Sequence, residues 1–172
     1  MPKAGRPPSN DARIRAHVAV VAATWNAPVT DRLLAGAVEA LQRAGATHET
    51  FRVPGSFELP AAVARLAATK RFDAIVPLGC LVRGDTPHFH YLAEAVAGGL
   101  LRLSVETDVP IAFGVLTCDT LAQALDRAGG AEGNKGADAA EAALQTLDFV
   151  RSLRATGSAK TSRRTERRPR TR

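Results

Sequence analysis

Short apolar runs alternate with Ala- and Leu-rich stretches of helical period along most of this chain, and this alternation constrains its fold more than any other feature. We predict strands at 17–23, 47–53, 73–78 and 111–116, and helices at 31–44, 59–69, 91–105, 119–128 and 136–154. A strand, a helix and a second strand in succession form a unit with parallel strands. The sequence therefore predicts an α/β protein with a four-stranded parallel sheet and helices on both faces.

The two first strands differ in polarity. The first, HVAVVAA, is apolar at every position after His17, as expected of a strand that is buried on both faces. The second, THETFRV, is more polar and is predicted to lie nearer an edge of the sheet. Gly45 follows the first helical stretch and is the glycine expected at its C-terminal end.

Composition fits one folded domain that stays inside the cell. The chain has 172 residues, of which 45% are hydrophobic and 23% charged. Its two cysteines, Cys80 and Cys118, are too few for a disulfide framework, so we expect both to be reduced. No apolar run approaches the ~18 residues of a membrane helix, and residues 1–10 lack the apolar segment of a signal peptide. We therefore expect a cytoplasmic protein that has no membrane partner.

The formal net charge of +6 is concentrated at the two ends of the chain. Residues 157–172 carry seven basic side chains and one acid, whereas residues 17–156 carry 12 basic and 15 acidic side chains. We predict a folded domain at 13–156 between a disordered segment at 1–12 and a disordered basic tail at 157–172. Because a nucleic-acid-binding fold carries its positive charge on a structured face, we expect any nucleic-acid binding to be weak and confined to the tail.

Ligands of such sheets bind beyond the carboxyl ends of the strands, so the segments that follow the strands are the candidate site. The segment GCLVRGDTPHFH at 79–90 follows the third strand. In it, Gly84, Asp85 and Thr86 offer backbone N–H groups and a hydroxyl to an anion at the start of a helix. His88 adds a side chain that titrates near neutral pH. The combination suits proton transfer beside a phosphate ester, although a surface turn with an incidental histidine would show the same pattern.

Two further segments offer apolar rings and a carboxylate at the same edge. In VPGSFELP at 53–60, Glu58 stands at a helix start, where it would either bind a ligand or compensate the helix dipole. Phe57 would belong to the site or to the core. Trp25, the only tryptophan, would stack on a planar heterocycle or cap the core.

The segment before the last helix contains basic residues but no metal or nucleotide motif. Arg127 would bind a phosphate or cap its helix, and the turn at 133–136 is too short for a P-loop and follows no strand. The two cysteines are 38 residues apart with no partner at ligand spacing, and His88 and His90 are not an i, i+4 pair. A zinc site is therefore not expected.

Several motifs in this order make residues 17–154 similar to the lumazine synthase family: PGSFELP, DAIVPLGCLVRGDTPHFHY, VPIAFGVLT and ALDRAGG with GNKGADAA. The resemblance implies a flavodoxin-like three-layer α/β/α sandwich. It also implies the penultimate step of riboflavin biosynthesis, in which 5-amino-6-(ribitylamino)uracil and 3,4-dihydroxy-2-butanone 4-phosphate give 6,7-dimethyl-8-ribityllumazine, phosphate and water. Imine formation, phosphate loss and ring closure need a proton carrier, an anion site and a stacking surface, but neither a metal nor a redox cofactor.

The resemblance assigns roles residue by residue. The catalytic residues would be His88, a proton shuttle, and Arg127, which would pair with the phosphate. The substrate-binding residues would be Trp25 for stacking, Ser56, Phe57 and Glu58 for the ribityl chain and the ring, Leu81 and Val82 beside the heterocycle, Gly84, Asp85 and Thr86 for the phosphate, and Phe113 and Lys135 around the site. Phe113 and Arg127 would come from a neighbouring subunit, which implies a homopentamer. Some family members pack pentamers into icosahedral shells of 60 subunits, and a riboflavin synthase would be a further partner.

Three positions depart from the family pattern. His90 stands where an acidic residue is common, which predicts that His90→Asp shifts the pH–rate profile. Cys80 and Cys118 stand where Thr or Val is more usual, and their small size predicts that they are tolerated. Two alternatives to the enzyme are a flavin-binding, lumazine-binding or shell-forming paralogue with weak catalysis, and a nucleic-acid-associated protein that acts through its tail.

Overall fold

The structure, a computed structural model, describes the backbone of residues 14–165 and the side chains of residues 14–154. Four parallel strands form the main sheet in the order β2-β1-β3-β4, and helices cover both of its faces. The elements are β1 (His17–Ala23), α1 (Ala27–Arg43), β2 (Thr47–Val53), α2 (Leu59–Ala68), β3 (Ala74–Val82), α3 (His88–Glu106), β4 (Gly114–Cys118), α4 (Leu121–Asp126), β5 (Ala128–Gly130), β6 (Gly133–Asn134) and α5 (Lys135–Thr165). The predicted four-stranded parallel sheet in a three-layer α/β/α sandwich is confirmed.

β1 lies in the middle of the sheet because both of its faces are apolar. Val18, Val20 and Ala22 face a core formed with α1, α4 and α5, whereas Ala19 and Val21 face a second core formed with α2 and α3. All five side chains are fully buried, and the burial of one valine contributes roughly 1.5–3 kcal/mol to folding. The apolar run that the sequence shows is therefore explained by helices on both sides of the strand.

β2 lies at one edge of the sheet, as its polar composition predicts. It pairs in parallel with β1 from Thr47 to Val53. The chain reaches β2 through Gly45, whose φ angle of 75° is a left-handed conformation that costs glycine little after the end of a helix. The predicted C-terminal glycine of α1 is confirmed.

Prolines move two element boundaries away from their predicted positions. α1 begins at Ala27 and not at residue 31, because Pro28 already has the φ angle of a first helical turn. β4 begins at Gly114 and not at residue 111, although Ile111 still forms a bridge to Ile75. In a parallel ladder of this register the next bond would need an N–H from Pro77, which has none.

The C-terminal third also differs in detail from the prediction. Part of the predicted turn at 133–136 belongs to a short antiparallel hairpin of β5 and β6. α5 runs to Thr165 and not to Arg154, so it enters the predicted basic tail, where residues 155–165 contain no proline to stop a helix. The predicted segment 1–12 and residues 166–172 of the predicted tail lie outside the described residues. None of the described helices is long and apolar enough to cross a membrane.

Candidate active site

A cleft of about 640 Å³ opens at the carboxyl ends of β1, β2 and β3, on the edge where the sequence predicts the site. Its volume lies in the range of sites for small ligands. The lining comes from the segments that follow these strands and from the start of α3: Trp25, Asn26, Pro54, Gly55, Ser56, Phe57, Glu58, Cys80, Leu81, Val82, Gly84, Thr86, His88, Phe89 and Leu92.

Trp25 is placed at the cleft by the backbone around it. The backbone N–H of Trp25 donates to the carbonyl of Pro54 over 2.9 Å, which joins the end of β1 to the segment after β2. Asn26 has a left-handed φ angle of 60°, and its Nδ2 donates to the carbonyl of Cys80 over 2.8 Å. The indole is 74% exposed, so it does not cap the core and instead presents a flat apolar surface to a ligand.

Residues 56–58 form a short 3₁₀ turn with three different side chains at the cleft. Glu58 caps this turn, because its Oε2 accepts a hydrogen bond from the N–H of Gly55 over 2.9 Å. Ser56 is buried, and its hydroxyl has no hydrogen-bond partner among the described residues. Phe57 is 59% exposed, so it does not belong to the core. The turn thus brings a carboxylate, a hydroxyl and an aromatic ring together.

The loop at 83–87 and the first residue of α3 form another part of the wall. Gly84, Thr86 and His88 line the cleft, and His88 begins α3. Asp85 is exposed and lies outside the lining. A Cβ atom placed on Gly84 would meet no atom within 4 Å, so a ligand can approach this backbone closely. The N–H groups at the start of a helix carry partial positive charge, which favours an anion here.

β3 contributes Cys80, Leu81 and Val82 to the cleft. Burial raises the pKa of the Cys80 thiol to about 12, with a smaller contribution from Cys118. Burial also raises the pKa of Cys118, which outweighs the lowering effect of the Arg127 charge. Both thiols are protonated at neutral pH, so Cys80 provides a small apolar surface and not a nucleophile.

Besides Asp85, three predicted site residues lie outside this cleft. Phe113 precedes β4, at the opposite end of that strand from the edge that carries the cleft. Arg127 caps α4, because its Nη1 donates to the carbonyl of Gln123 over 3.0 Å. Lys135 pairs with Asp138 over 2.8 Å, and its N–H donates to the carbonyl of Arg127 over 2.8 Å. Arg127 and Lys135 are therefore neighbours, but neither lines the cleft of its own chain.

Comparison with known proteins decides the family. The sequence model of 6,7-dimethyl-8-ribityllumazine synthases matches residues 15–151. The chain belongs to this family. It is 47% identical over 138 residues to the 6,7-dimethyl-8-ribityllumazine synthase of Anaeromyxobacter sp. (strain K), which covers 78% of this chain and 85% of that protein. It is 55% identical over 132 residues to the 6,7-dimethyl-8-ribityllumazine synthase of Arthrobacter sp. (strain FB24), which covers 75% of this chain and 81% of that protein.

Membership in the 6,7-dimethyl-8-ribityllumazine synthase family confirms the resemblance that the motifs indicate. The structure brings most of the predicted site residues of this family member into one cleft, with Asp85, Phe113, Arg127 and Lys135 outside it. The predicted site residues did not include six of the lining residues, which are Asn26, Pro54, Gly55, Cys80, Phe89 and Leu92. For Asn26 a signal existed, because an asparagine directly after a strand tolerates the left-handed conformation that this corner requires. Among the described residues, no group of three or more His, Cys, Asp or Glu side chains could hold a metal ion.

Proposed function

We propose that this chain is a 6,7-dimethyl-8-ribityllumazine synthase, which condenses 5-amino-6-(ribitylamino)uracil with 3,4-dihydroxy-2-butanone 4-phosphate in riboflavin biosynthesis. The observation that carries the proposal is one cleft that contains an exposed tryptophan, a turn with a carboxylate, a glycine-containing loop at the start of a helix and a histidine. The reaction joins an amine to a ketone, releases phosphate and closes a ring, and these groups suit those steps.

The aromatic side of the cleft binds the pyrimidine. Trp25 and Phe57 are exposed, and stacking of a base-like ring on such a side chain contributes about 1–3 kcal/mol. Leu81 and Val82 lie beside the ring. Glu58 binds ribityl hydroxyls through Oε1, since Oε2 already accepts the hydrogen bond from Gly55.

The loop side binds the phosphate and moves the protons. Gly84 and Thr86 contribute backbone N–H groups and a hydroxyl, and Asp85 shapes the turn between them. His88, the first residue of α3, takes a proton from the attacking amine and returns one to the departing oxygen. Ser56 supplies a buried hydroxyl that has no partner among the described residues, so a polar substrate atom would satisfy it.

A neighbouring copy of the chain completes the site. Phe113 and Arg127 do not line the cleft of their own chain, and Trp25, Phe57 and Phe113 leave large apolar surfaces exposed. Exposed apolar surface of this kind is typical of an interface between subunits. In a closed ring each copy would lend Phe113 and Arg127 to the next, with Arg127 on the phosphate and Lys135 beside it. A pentamer is the ring that the family resemblance implies.

The proposal is tested by mixing the purified protein with the two substrates. We expect the lumazine chromophore to appear together with one phosphate per product. His88→Ala should lower kcat by ~10²–10⁴-fold, the usual contribution of a general acid or base. Arg127→Ala should raise KM for the butanone phosphate. Tight binding of the lumazine without turnover by the wild-type protein would instead support the ligand-binding paralogue.

Four expectations from the sequence stay predictions. They are the cytoplasmic location, the 60-subunit shell, the associated riboflavin synthase and the weak binding of nucleic acid by the tail. Analytical ultracentrifugation separates a pentamer from a shell. Binding of DNA or RNA that falls steeply with salt, and disappears on truncation after Thr156, would support a role of the tail.

A further inference from the structure

Arg83 joins the two structural elements on either side of the phosphate loop. It directly follows β3, and its Nε donates to the Asp119 carboxylate just beyond the end of β4. Its Nη1 lies 2.7 Å from Nε2 of His90 in the first turn of α3. The guanidinium carbon is 4.7 Å from the centre of the Phe89 ring, so the group also packs on an aromatic face. One side chain thus contacts β4 and α3 together.

These contacts matter because burial does not hold the loop: every residue from Arg83 to His88 is exposed. The Arg83–His90 contact joins two residues that are seven positions apart and closes the base of the loop. The Arg83 N–H also donates to the carbonyl of Cys118 over 2.9 Å, which fixes the first residue of the loop to β4. The position of Gly84 and Thr86 therefore depends on this clasp, by which we mean Arg83 with Asp119 and His90.

The clasp requires a particular protonation state of His90. An arginine side chain has only donors, so Nε2 of His90 must accept through a lone pair, and the ring proton must be on Nδ1. When the ring takes up a second proton, Nε2 loses its lone pair and a cation stands 2.7 Å from the guanidinium. The Arg83–Asp119 pair then remains alone on an exposed surface, where such a pair contributes little.

We propose that Arg83 is a positioning residue for the phosphate loop, held in place by Asp119 and by neutral His90, and that protonation of His90 releases it. The inference rests on the proposed function of this loop. Arg83, at the end of β3, contacts His90 directly, and Asp119, just beyond β4, contacts Arg83. The other charged residues and histidines close to His90 in the sequence are Asp85 in the loop, His88 at the start of α3 and Glu94 one turn further along α3. Protonation of His90 therefore loosens the anion site as the pH falls.

The clasp also reaches the element that carries Arg127. The N–H of Asp119 donates to Oε1 of Gln123 over 3.0 Å, and the carbonyl of Gln123 accepts from Arg127. The same network thus connects the phosphate loop of one cleft to the arginine that we propose is lent to the next. Loss of this network is expected to weaken binding of the butanone phosphate more than binding of the pyrimidine.

The experiment compares KM for the butanone phosphate at pH 6 and pH 8 in four proteins: wild type, His90→Gln, Arg83→Ala and His48→Gln. The amide oxygen of glutamine accepts from Arg83 at both pH values, so His90→Gln keeps the clasp closed. His48 lies on β2, away from the cleft, and controls for the loss of a histidine. Ionisation of the substrate is the same in all four proteins and cancels in the comparison.

We expect KM to rise when the pH falls from 8 to 6. The factor of this rise should be about three- to tenfold larger in the wild type and in His48→Gln than in His90→Gln. Arg83→Ala should raise KM at both pH values by about 10- to 100-fold with a smaller change in kcat, the cost of a misplaced binding group. Arg83→Lys keeps the positive charge but loses the planar guanidinium, so its KM should lie between those of the wild type and Arg83→Ala. Superimposable pH dependence of wild type and His90→Gln, or a wild-type KM in Arg83→Ala, would overturn the inference.

A second measurement keeps this result separate from the enzyme assay. The affinity for inorganic phosphate is measured by calorimetry with the same proteins and pH values. If the wild type makes no lumazine but loses phosphate affinity at pH 6 more than His90→Gln does, the proposed activity is wrong and the positioning role stands. If lumazine forms while both pH dependences match, the positioning role is wrong and the activity stands.

Discussion

The substitution Gly79→Ala tests how closely the turn at 56–58 is seated on β3. A Cβ atom on Gly79 would lie 2.6 Å from Ser56 Oγ, 3.0 Å from Leu59 Cδ1 and 3.3 Å from Ser56 Cβ. Since ordinary contacts begin near 3.4 Å, the hydroxyl would have to move by about 0.8 Å. The φ angle of Gly79 is not in the left-handed region, so the cost is steric and not conformational.

The expected magnitude follows from this geometry. Forcing one extra methyl group into a closely packed contact costs about 1–3 kcal/mol of the free energy of unfolding. The same displacement moves Phe57 and Glu58, which follow Ser56 in the turn, by up to roughly 1 Å, and a shift of that size in a binding group costs up to ~10²-fold in kcat/KM. We therefore expect Gly79→Ala to lower both the stability and the turnover of 5-amino-6-(ribitylamino)uracil.

Urea unfolding and steady-state kinetics are measured on four variants. Ser56→Ala alone should leave stability nearly unchanged, because its hydroxyl has no hydrogen-bond partner among the described residues. Gly79→Ala with Ser56→Ala should recover part of the stability, because the shortest contact is gone while those to Leu59 and to the Cβ atom of residue 56 remain. The control is Gly98→Ala in α3, where a Cβ atom meets nothing within 4 Å and where alanine should stabilise by about 0.5–1 kcal/mol.

A Gly79→Ala protein that unfolds at the wild-type urea concentration and keeps the wild-type kcat/KM would show that the turn is not seated closely on β3. A double variant no more stable than Gly79→Ala would show that the clash does not involve the Ser56 hydroxyl.

Three further predictions concern assembly, pH and the thiols. His88→Ala and Arg127→Ala proteins, each assayed at a butanone phosphate concentration well below the wild-type KM, should both be strongly impaired. When they are dissociated, mixed equally and reassembled, about a quarter of wild-type activity should return, since about a quarter of the shared sites then receives both intact residues; no recovery in mixed oligomers would contradict a shared site. The hydrogen bond from His17, with a smaller contribution from Arg71, lowers the pKa of Glu49. Because the folded pKa lies below the unfolded value, this stabilisation is present at neutral pH and is lost as the pH falls through the folded pKa. Glu49→Gln should therefore lower the urea midpoint at pH 7, with a smaller difference at pH 4, whereas an equal difference at both pH values would exclude this cause. The pKa of about 12 leaves roughly one Cys80 thiol in 10⁴ ionised at pH 8, so alkylation should be slow in the folded protein and fast in urea; rapid native alkylation would show that the thiol is not buried.

The sequence predicts the sheet well because the sheet is encoded locally. The bounds of β1 and β2 are predicted without error, since a run of buried apolar residues and a polar edge strand both have clear patterns. The late start of β4 is not predictable in the same way. It depends on a missing N–H at Pro77, which acts on a strand more than thirty residues away and becomes relevant only once the register of the sheet is known.

In the site, too, some features are encoded locally in the sequence and others depend on the folded structure. The carboxyl ends of parallel strands meet at one edge, so Trp25, Glu58 and His88 can be assigned to one cleft from topology and motif alone. The contacts that hold these residues in place cannot be predicted in this way. The bond from Asn26 to the Cys80 carbonyl and the bond from Arg83 to His90 depend on side-chain directions at loop corners, which no periodicity encodes.

α5, the last of the described helices, completes the core on the α1 side of the sheet. Ala139, Ala140, Ala143, Leu144 and Leu147 of α5 pack there with Leu33 and Leu41 of α1. During translation, β1, β2 and β3 emerge from the ribosome long before these residues, so the nascent chain carries a bare apolar surface until α5 is made. Such surface is the common starting point of aggregation and the usual target of chaperones. We therefore expect a chain truncated before α5 to expose the apolar surface that this helix covers and to be bound by chaperones or to aggregate.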